Sequence, residues 1–358
     1  MGTAAIVRGL GVSLAWGASI ALLGGPVQAG DGGVGELPPV VEPMQERHGA
    51  LQEEVPVTRA PSIQALAVDQ HRRVYAGSFG MGIFRSEDRG RSWTAVNAGL
   101  RDRFILVLAV TQDGTVYAGT LRAGVFQSRD AGQSWQAVNE GLKRLEVKAL
   151  MVEGGAIYAG TGDGVYRLNE GERRWGSVST GLQDTLVHSL AIAADRTLFA
   201  GTSGRGLFRY GSKESAWTRM THGLKDHEGL VENFIRVLAV DREQALYAGT
   251  FDGGVFRSGD GGQTWRPISR ALPNDSIRGI VASEKGLFVA TGRGVYKTAD
   301  QGRQWVSLNK GLTELSVQVL TASGDGAFYA GTSAGVFRSD NDGESWENVG
   351  GGLQAAGR

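Results

Sequence analysis

Tryptophan recurs along this chain at nearly constant intervals, and this regularity restricts the fold more than any other feature. Apart from Trp16, every tryptophan occupies the same place in a repeated unit: Trp93, Trp135, Trp175, Trp217, Trp265, Trp305 and Trp346. The interval is about 42 residues and is longer once, between Trp217 and Trp265. Repeats of this length are typical of folds in which each unit buries its apolar surface against its neighbours. The tryptophans therefore predict seven structural units within residues 62–353.

Each unit carries the signals of four short β-strands. In its clearest copy, residues 247–265, an apolar segment ends in Ala-Gly-Thr, a glycine-rich turn leads to Val-Phe-Arg-Ser, and a second turn leads to tryptophan. The segments are rich in β-branched and aromatic residues and bounded by Gly, Asp and Asn, as strands are. Four antiparallel strands per unit, repeated around an axis, form a propeller blade. We therefore predict an all-β fold, a seven-bladed β-propeller of four-stranded antiparallel blades. The predicted blades are residues 62–100, 101–142, 143–182, 183–224, 225–272, 273–312 and 313–353.

Two observations favour a closed ring over an open solenoid. The terminal units resemble the internal ones, whereas a solenoid needs polar capping repeats at its ends. Every unit also contains its four strands in chain order, so closure requires no shared strand. We predict that closure rests on packing between the first and last blades. The sequence leaves open whether residues 30–61 contribute to it.

The composition excludes several classes of function. Lysine plus arginine and aspartate plus glutamate number 37 each, so no overall field attracts the chain to nucleic acid or to a membrane surface. The absence of cysteine excludes disulfides, thiol catalysis and cysteine-ligated zinc. The 56 glycines recur at fixed offsets and indicate many tight turns.

Residues 1–29 differ from the rest and have the features of a secretory signal peptide. Arg8 is their only charge, residues 10–23 are apolar, and small residues precede Ala29. An uncleaved membrane anchor is the alternative, but the apolar segment is shorter than the roughly 20 residues that a span needs. We predict cleavage after Ala29 and export, and a mature chain without cysteine suits a bacterial periplasm or exterior. Residues 30–61, rich in Pro and Glu, are predicted to form a linker or N-terminal arm, and residues 354–358 a short tail.

The turn before the tryptophan has the most specific pattern in the unit. Asp88, Asp130 and Asp260 lie where a hairpin reverses, so their carboxylates are placed to accept hydrogen bonds from exposed backbone N–H groups. The glycine two residues later is predicted to adopt a positive φ. We expect the Ser or Thr before the tryptophan to bond to the first Ser of the turn. We expect the tryptophan itself to pack against the next blade.

This turn, Ser-x-Asp-x-Gly-x-Ser/Thr-Trp, resembles the Asp-box, or bacterial neuraminidase (BNR) repeat, of sialidase-like propellers. Residues 86–93, 128–135 and 258–265 match it; residues 298–305 have Gln304 before the tryptophan, and residues 339–346 have Asn341 in place of Asp. Residues 168–175 and 210–217 retain little but the tryptophan. The resemblance covers about four-fifths of the chain and implies structural turns remote from any catalytic face. The predicted structural set is Asp88, Asp130, Asp260, Asp300, Asn341, Trp93, Trp135, Trp265, Trp305 and Trp346.

The innermost strand of each unit has one variable position among apolar residues, near the end that should open on the channel mouth. This position holds Gln64, Leu106, Lys148, His188, Arg236, Arg278 and Gln318. Buried charges need partners or water, so the four consecutive basic residues predict an arc that binds an anion or an acidic partner. The alternative is a solvated channel position that tolerates any polar residue.

The turns between the second and third strands also vary at one offset. They carry Arg122, Asp163, Arg205, Asp252 and Arg293, beside neutral copies such as Ser333. Such variation is typical of a binding face, and an unconstrained solvent loop is the alternative. The longest link between blades, residues 225–234, predicts a further contact element with Leu230 or Phe234 as an apolar anchor.

No catalytic or metal-binding set is recognisable in the sequence. The histidines, His48, His71, His188, His222 and His227, lack metal-ligand spacing. Residues 160–164 lead into a strand and predict a turn, not a phosphate-binding loop, and residues 340–343 lack the distal Glu of a calcium loop. Asp163 and Asp252 lie on non-adjacent blades, which argues against a glycosidase carboxylate pair. Sialidase chemistry needs an arginine cluster, a tyrosine nucleophile and an acid, and we find no such set. We predict no cofactor and no metal.

We therefore predict a non-enzymatic, exported propeller that binds a protein or an anionic ligand through the mouth of its channel. In layout the chain resembles the single-propeller photosystem II stability and assembly factors (YCF48-like), which use Asp-box blades and a basic patch. This resemblance implies a scaffold or assembly role. The alternative is a sialidase-like or other glycoside hydrolase acting on extracellular glycan. The predicted partner is a protein or an anionic ligand or glycan, not nucleic acid, and the mature protein is predicted to be a monomer that does not insert into a membrane.

Overall fold

The computed structural model describes residues 60–169, 171–211, 215–225, 233–274 and 276–353. Their named regular elements are 28 strands, which form seven four-stranded sheets. Within each sheet the strands follow one another in chain order and pair antiparallel. The predicted fold class, a seven-bladed β-propeller, is confirmed, and we number the blades 1 to 7 along the chain. The predicted signal peptide, the arm as far as residue 59 and the tail lie outside the described residues.

The first and second strands of each blade form the buried inner part of the fold. The first strands are Ile63–Val68 (β1), Ile105–Val110 (β5), Val147–Glu153 (β9), Val187–Ile192 (β13), Ile235–Val240 (β17), Ile277–Ser283 (β21) and Val317–Ala322 (β25). The second strands are Val74–Ser78 (β2), Val116–Thr120 (β6), Ala156–Thr161 (β10), Leu198–Thr202 (β14), Leu246–Thr250 (β18), Gly286–Thr291 (β22) and Phe328–Thr332 (β26). Their continuous apolar sequences fit strands that are covered on both faces by neighbouring blades.

The third and fourth strands form the outer part of each blade. The third strands are Ile83–Ser86 (β3), Val125–Ser128 (β7), Gly164–Asn169 (β11), Leu207–Gly211 (β15), Val255–Ser258 (β19), Gly294–Thr298 (β23) and Gly335–Ser339 (β27). The fourth strands are Thr94–Ala95 (β4), Gln136–Ala137 (β8), Gly176–Ser177 (β12), Ala216–Arg219 (β16), Arg266–Pro267 (β20), Val306–Ser307 (β24) and Glu347–Asn348 (β28). Most fourth strands are only two residues long, and in blade 2 the residue after the strand, Val138, still donates its N–H to Val125 O of the third strand.

Neighbouring blades approach closely at the glycine of the second strand. A Cβ on Gly119 would lie 2.4 Å from Val107 Cγ1 of its own blade and 2.9 Å from Val147 Cγ1 of blade 3. The glycine leaves room for the next first strand, which explains the recurrent Ala-Gly pair. The first strands contact one another in chain order around the axis, and β25 contacts β1. The ring is therefore closed by packing between the first and last blades, as predicted.

The Asp-box turns have the predicted carboxylate geometry, with one correction. In blade 2, Asp130 Oδ1 accepts hydrogen bonds from Ser134 N at 2.9 Å and Ser128 Oγ at 2.7 Å, and Gly132 has a φ of 88°. Ser134 Oγ donates to Asp130 Oδ2 at 2.6 Å, so the expected bond between the two serines is wrong, because the carboxylate takes both hydroxyls. The side-chain and backbone bonds from Ser134 lower the pKa of Asp130 to about 2.

The altered boxes keep the turn through its backbone hydrogen bond. Gln304 N donates to Asp300 Oδ1 at 2.9 Å. Asn341 Oδ1 accepts from Ser345 N at 3.0 Å, and Asn341 Nδ2 donates to Ser345 Oγ at 2.9 Å. An acceptor at the Asp position is therefore sufficient for the turn.

Tryptophan joins its blade to the preceding blade, not to the next blade as the sequence predicted. Trp135 Nε1 donates to Val96 O of blade 1 at 2.8 Å. Trp217, in a blade without the box, makes the equivalent bond to Val178 O at 2.6 Å. The direction differs from the prediction because the outer hairpin places the indole against the residue that follows the fourth strand of the preceding blade.

The same contact closes the ring, and one blade departs from it. Trp93 Nε1 donates to Val349 O of blade 7 at 2.8 Å. In blade 5, Trp265 Nε1 bonds instead to Gly262 O of its own turn at 3.1 Å. This departure occurs where the link between blades is longest, between blades 4 and 5.

Candidate ligand-binding mouth of the central channel

The first strands begin, and the turns between second and third strands lie, at the same end of each blade. Phe79 N, after β2, donates to Ser62 O, just before β1, at 2.9 Å. In blade 5, Phe251 N donates to Phe234 O at 3.2 Å. We call this end of the channel the mouth. Antiparallel strands alternate in direction, so the Asp-box turns lie at the opposite end.

A β-bulge interrupts every first strand at its variable position. In blade 5, Ile235 pairs with Thr250 and Val237 pairs with Gly249, which leaves Arg236 without a partner in the ladder. The same shift of register occurs at Gln64, Leu106, Lys148, His188, Arg278 and Gln318. A bulge changes the direction of a side chain and is common beside functional sites. The position that varies between units is therefore also the one that lies outside the regular pairing.

The predicted basic arc is formed on the first strands of blades 3 to 6. Exposed fractions are 8% for Lys148, 5% for His188 and 2% for Arg236, while Arg278 is half-buried. Two of these side chains reach the following blade: Arg236 Nη1 donates to Ser276 Oγ at 3.2 Å, and Arg278 Nη1 donates to Ser316 Oγ at 2.7 Å. The arc is continuous across these strands.

The charges of the arc differ in how they are compensated. Lys148 Nζ forms an ion pair with Glu146 at 3.1 Å. Burial lowers the pKa of Arg278, and the nearby Glu314 opposes that shift. Burial, reinforced by Arg278, lowers the pKa of Arg236 to about 10. Among the residues that the structure describes, no carboxylate pairs with Arg236, and its Nη2 is buried without a hydrogen-bond partner. Arg236 is therefore a strongly buried and uncompensated cation.

His188 contributes a neutral ring to the arc. Burial, reinforced by Lys148 and Arg236, lowers the pKa of His188 to about 3. The imidazole is therefore uncharged near neutral pH. Its ring centroid lies 5.0 Å from that of Phe234, on the next first strand.

Aromatic side chains adjoin Arg236 at the mouth. The guanidinium Cζ lies 5.4 Å from the ring centroid of Phe251, and the Phe251 and Phe234 rings are 5.5 Å apart. Phe251 is 46% exposed. Phe234, predicted as an anchor of the long link, lies here, whereas Leu230 is outside the described residues.

The bulge residues of blades 7, 1 and 2 are apolar or neutral. Leu106, fully buried, takes the place of the basic residues in blade 2, and the Phe79 and Phe104 rings are 4.6 Å apart. Gln64 and Gln318 donate to nearby serines, Ser62 Oγ at 2.9 Å and Ser316 Oγ at 3.1 Å. These two glutamines therefore continue the ring of polar bulge residues without charge.

Arg122 lies at the mouth of blade 2 and is already paired. Its Nη2 donates to Asp102 Oδ1 at 3.0 Å, and its backbone N donates to Asp102 Oδ2 at 2.8 Å. The guanidinium Cζ also lies 4.5 Å from the ring centroid of Phe104. Asp102 is buried. Arg122 thus forms a complete set with a carboxylate and an aromatic ring from its own chain.

The other predicted turn residues do not form one site. Asp163 is buried and accepts from Tyr166 Oη at 3.0 Å, so it fixes its own turn. Arg205 Nη1 donates to Thr185 Oγ1 at 2.5 Å. Asp252 and Arg293 are exposed on different blades. The solvent-loop interpretation fits this set better than a shared site.

Several residues of the mouth were missed in the sequence, although some carry a signal. Phe79 and Phe251 follow directly after Ala-Gly-Ser or Ala-Gly-Thr, and Ser276 and Ser316 precede the variable position by two residues. An alignment of these offsets would have identified them. Asp102 lies four residues before the variable position, where Asp184, Glu232 and Glu314 also stand, so an acidic signal was missed there as well.

Within the described ranges, no group of three acidic or histidine side chains is arranged to hold a metal ion. The same residues include no helix with the length and hydropathy needed to cross a membrane. An open depression of about 560 Å³ lies on the outer strands of blade 3 beside Arg167 and Trp175, away from the mouth.

Comparisons with known proteins support the fold. No protein-family model matches the sequence. A search of curated proteins also finds no match. Solved structures do match: the extracellular domain of a protein assigned as a hybrid two-component system of B. thetaiotaomicron aligns with a TM-score of 0.68 and 18% identity, over 79% of this chain and 39% of that chain. YCF48 from Cyanidioschyzon merolae, a protein also solved bound to D1 peptide, aligns with a TM-score of 0.61 and 13% identity, over 79% of this chain and 96% of that chain.

A GH74 enzyme from Niastella koreensis aligns with a TM-score of 0.66 and 14% identity, over 82% of this chain and 55% of that chain. The chain spans only 39% and 38% of the two extracellular-domain structures that it matches. At these identities the likeness concerns the fold. The chain is a seven-bladed β-propeller, and its layout is shared with YCF48, with bacterial extracellular domains and with GH74 propellers.

Proposed function

We propose that this protein is an exported, non-enzymatic propeller that binds an acidic protein partner, or another anionic ligand, through the mouth. The observation that carries the proposal is Arg236, whose guanidinium is buried at the mouth with no ion pair among the described residues. A buried charge is costly unless it is paired and hydrogen-bonded. An incoming carboxylate therefore supplies an interaction that the described residues do not give to Arg236.

The neighbouring blades support the same class of ligand. Lys148 and Arg278 lie on strands to either side of Arg236 and extend the positive charge over several blades. Charges of one sign around a concave site accelerate association with a partner of opposite sign. The net charge of zero means that this attraction acts at the mouth and not over the whole surface.

A scaffold or assembly role fits both the geometry and the comparisons. A propeller presents many loops at one face, which suits a partner's extended segment. YCF48, of the same fold, has been solved bound to a peptide. Export rests on the signal-peptide pattern of residues 1–29, which lie outside the described residues.

Glycan hydrolysis is the rival activity, and the likeness to a GH74 enzyme is one of fold only. Three carboxylates at the mouth are engaged within the protein. Glu146 pairs with Lys148, Asp102 pairs with Arg122, and Glu314 accepts from Ser316 N at 2.8 Å. These contacts favour a structural role for the acids over catalysis.

The test of the proposal replaces Lys148, Arg236 and Arg278 together with Ala. Poly-L-glutamate serves as the acidic probe, and its affinity is measured by calorimetry between low and physiological salt. We expect a loss of at least about tenfold in affinity and a flatter salt dependence. The matched control removes three exposed arginines from outer hairpins, Arg129, Arg173 and Arg303, and leaves probe binding unchanged.

Equal affinity in the mouth variant and the parent protein would overturn the proposal. The rival is tested separately, by incubating purified protein with sialosides and plant β-glucans. Reproducible turnover of either would replace the binding function with hydrolysis. Capture of partners from the source organism by the parent protein, but not by the triple variant, would then identify the natural ligand.

A further inference from the structure

Arg236, Phe251 and Phe234 form a corner of the mouth that combines a buried cation with an exposed aromatic surface; we call these three residues the blade-5 corner. The guanidinium Cζ lies 5.4 Å from the Phe251 ring centroid, and Nη1 is held by Ser276 Oγ. Nη2 has no hydrogen-bond partner in the described part of the chain. The corner therefore has one unused strong donor beside an apolar ring.

Phe251 is one of three large apolar residues that are exposed at the mouth, with Leu145 and Leu315 in the links before β9 and β25. Single exposed apolar side chains are ordinary on protein surfaces and need no explanation alone. Phe251, however, is 46% exposed while its ring contacts Phe234 on one side and Arg236 on another. Aromatic residues that are exposed beside a cation are typical anchors in protein interfaces.

Blade 2 contains a related set, in which the arginine comes from the turn between the second and third strands and not from the bulge of the first strand. Arg122 Cζ lies 4.5 Å from the Phe104 ring centroid, and its Nη2 donates to Asp102 Oδ1 at 3.0 Å. Phe104 and Phe234 occupy equivalent positions, each directly before the first strand of its blade. Blade 2 thus completes its set within the chain. Among the described residues of blade 5 no carboxylate pairs with Arg236, and Glu232, at the position of Asp102, lies outside them.

We propose that the blade-5 corner binds a segment of the partner protein in which Asp or Glu stands next to a bulky apolar residue. The carboxylate pairs with Arg236, as Asp102 does with Arg122, and the apolar side chain packs on Phe251. Nη2 is buried in the unliganded protein, so this pairing requires a side-chain rearrangement at the corner. This inference rests on the proposed function of the mouth and specifies its partner as an acidic-apolar peptide segment.

The proposal differs from simple anion capture in requiring two adjoining contacts. Poly-L-glutamate satisfies the charge but leaves Phe251 exposed. A segment with an acidic and an apolar residue satisfies both, and a buried anchor near a paired charge is the usual source of affinity in an interface. The two contributions are separable by substitution on both sides.

The test is a double-mutant cycle with four peptides of one length, capped at both ends so that they carry no terminal charge. Their central pair is Glu-Phe, Gln-Phe, Glu-Ala or Gln-Ala in a Gly/Ser context, and their dissociation constants are measured by fluorescence anisotropy. With the parent protein, Glu to Gln weakens binding about 10- to 100-fold, because a charge-assisted hydrogen bond is lost. Phe to Ala weakens it about fivefold.

The protein variants identify the contacts. In Arg236→Gln the Glu and Gln peptides bind within about threefold of each other, and in Phe251→Ala the Phe and Ala peptides do so. Arg236→Lys retains the charge without the planar fork and gives an intermediate loss. Arg129→Gln, the same charge change on an outer hairpin, leaves all four constants unchanged. Circular dichroism of each variant confirms the parent fold.

The outcomes separate this inference from the function on which it rests. If Glu peptides bind through the mouth but are indifferent to the peptide Phe and to Phe251→Ala, the acidic-apolar proposal is overturned and the anion-binding mouth stands. If no acidic peptide and no poly-L-glutamate bind the parent protein, both proposals are overturned. Coupling between the peptide Glu and Arg236, and between the peptide Phe and Phe251, supports both.

Discussion

The two ends of the propeller carry charged groups whose pKa values are lowered for opposite reasons. At the Asp-box end, hydrogen bonds from Ser134 lower the pKa of Asp130 to about 2, because the folded protein favours the carboxylate. At the mouth, burial lowers the pKa of Arg236 to about 10, because the folded protein disfavours the guanidinium. A lowered pKa thus means that the charged form of Asp130 stabilises the folded protein, whereas the charged form of Arg236 destabilises it. The repeated end therefore contributes to the stability of the fold, whereas the buried charge at the variable end lowers it.

The largest effect on stability should come from the contact between the first and last blades. Trp93→Ala removes a buried indole and its bond to Val349 O, and we expect the free energy of unfolding to fall by about 3 to 5 kcal/mol in urea titrations followed by circular dichroism. Trp93→Phe keeps most of the apolar surface and loses about 1 kcal/mol. If the free energy of unfolding of Trp93→Ala lies within about 1 kcal/mol of the parent value, the contact between Trp93 and blade 7 does not stabilise the closed ring.

The pH dependence of the free energy of unfolding should show how much the buried His188 at the mouth lowers stability. The folded pKa of His188, about 3, lies below its ordinary value of 6.5, so the unfolded chain binds a proton that the folded protein excludes. Above pH 6.5 the imidazole is neutral in both states, so His188 does not change stability there. As the pH falls from 6.5 towards 3, it lowers the free energy of unfolding by roughly 1.4 kcal/mol per pH unit.

The measurement compares the parent protein with His188→Gln in urea titrations at pH 7 and pH 5. The variant should gain about 2 kcal/mol relative to the parent on acidification. His71→Gln, at an exposed site, serves as the control and should follow the parent. A constant difference between parent and His188→Gln across this range would show that the ring is not held neutral.

The smallest effect distinguishes the two ends by its sign. Arg236→Met replaces an uncompensated buried charge with an apolar chain of similar length, and we expect stability to rise by about 1 kcal/mol while acidic peptides bind less well. Asp130→Ala, at the other end, should lose about 1 to 2 kcal/mol because two donors of Ser134 lose their acceptor. If both variants are destabilised equally, the contrast between the ends is wrong.

The features that the sequence predicted correctly depend on local pattern. Strands, turns and blade number follow from β-propensity, glycine placement and the spacing of tryptophan, each of which acts over a few residues. Asp130 is an example, because its hydrogen-bond partners lie within four residues. The direction of the tryptophan contact was wrong because it depends on how one blade lies against another, and no local pattern encodes that arrangement.

The mouth was predictable only in part. The alignment of repeats identified Lys148, His188, Arg236 and Arg278 as neighbours, and the structure brings these residues onto adjacent first strands. Their unequal compensation was not predictable, because it depends on which link residue each side chain reaches, and that contact follows from the packing of neighbouring blades. The pairing of Arg122 likewise depends on Asp102, which lies in the link before β5.

The bulge in every first strand separates the residues that pair in the sheet from one residue that does not. A residue outside the ladder has no opposite partner whose size it must match, so Leu106 and Arg236 occupy equivalent positions in blades of the same geometry. The blades retain their shape while seven positions around one opening change independently. A propeller of this kind can acquire a new ligand by substitutions that leave the pairing of its sheets unchanged.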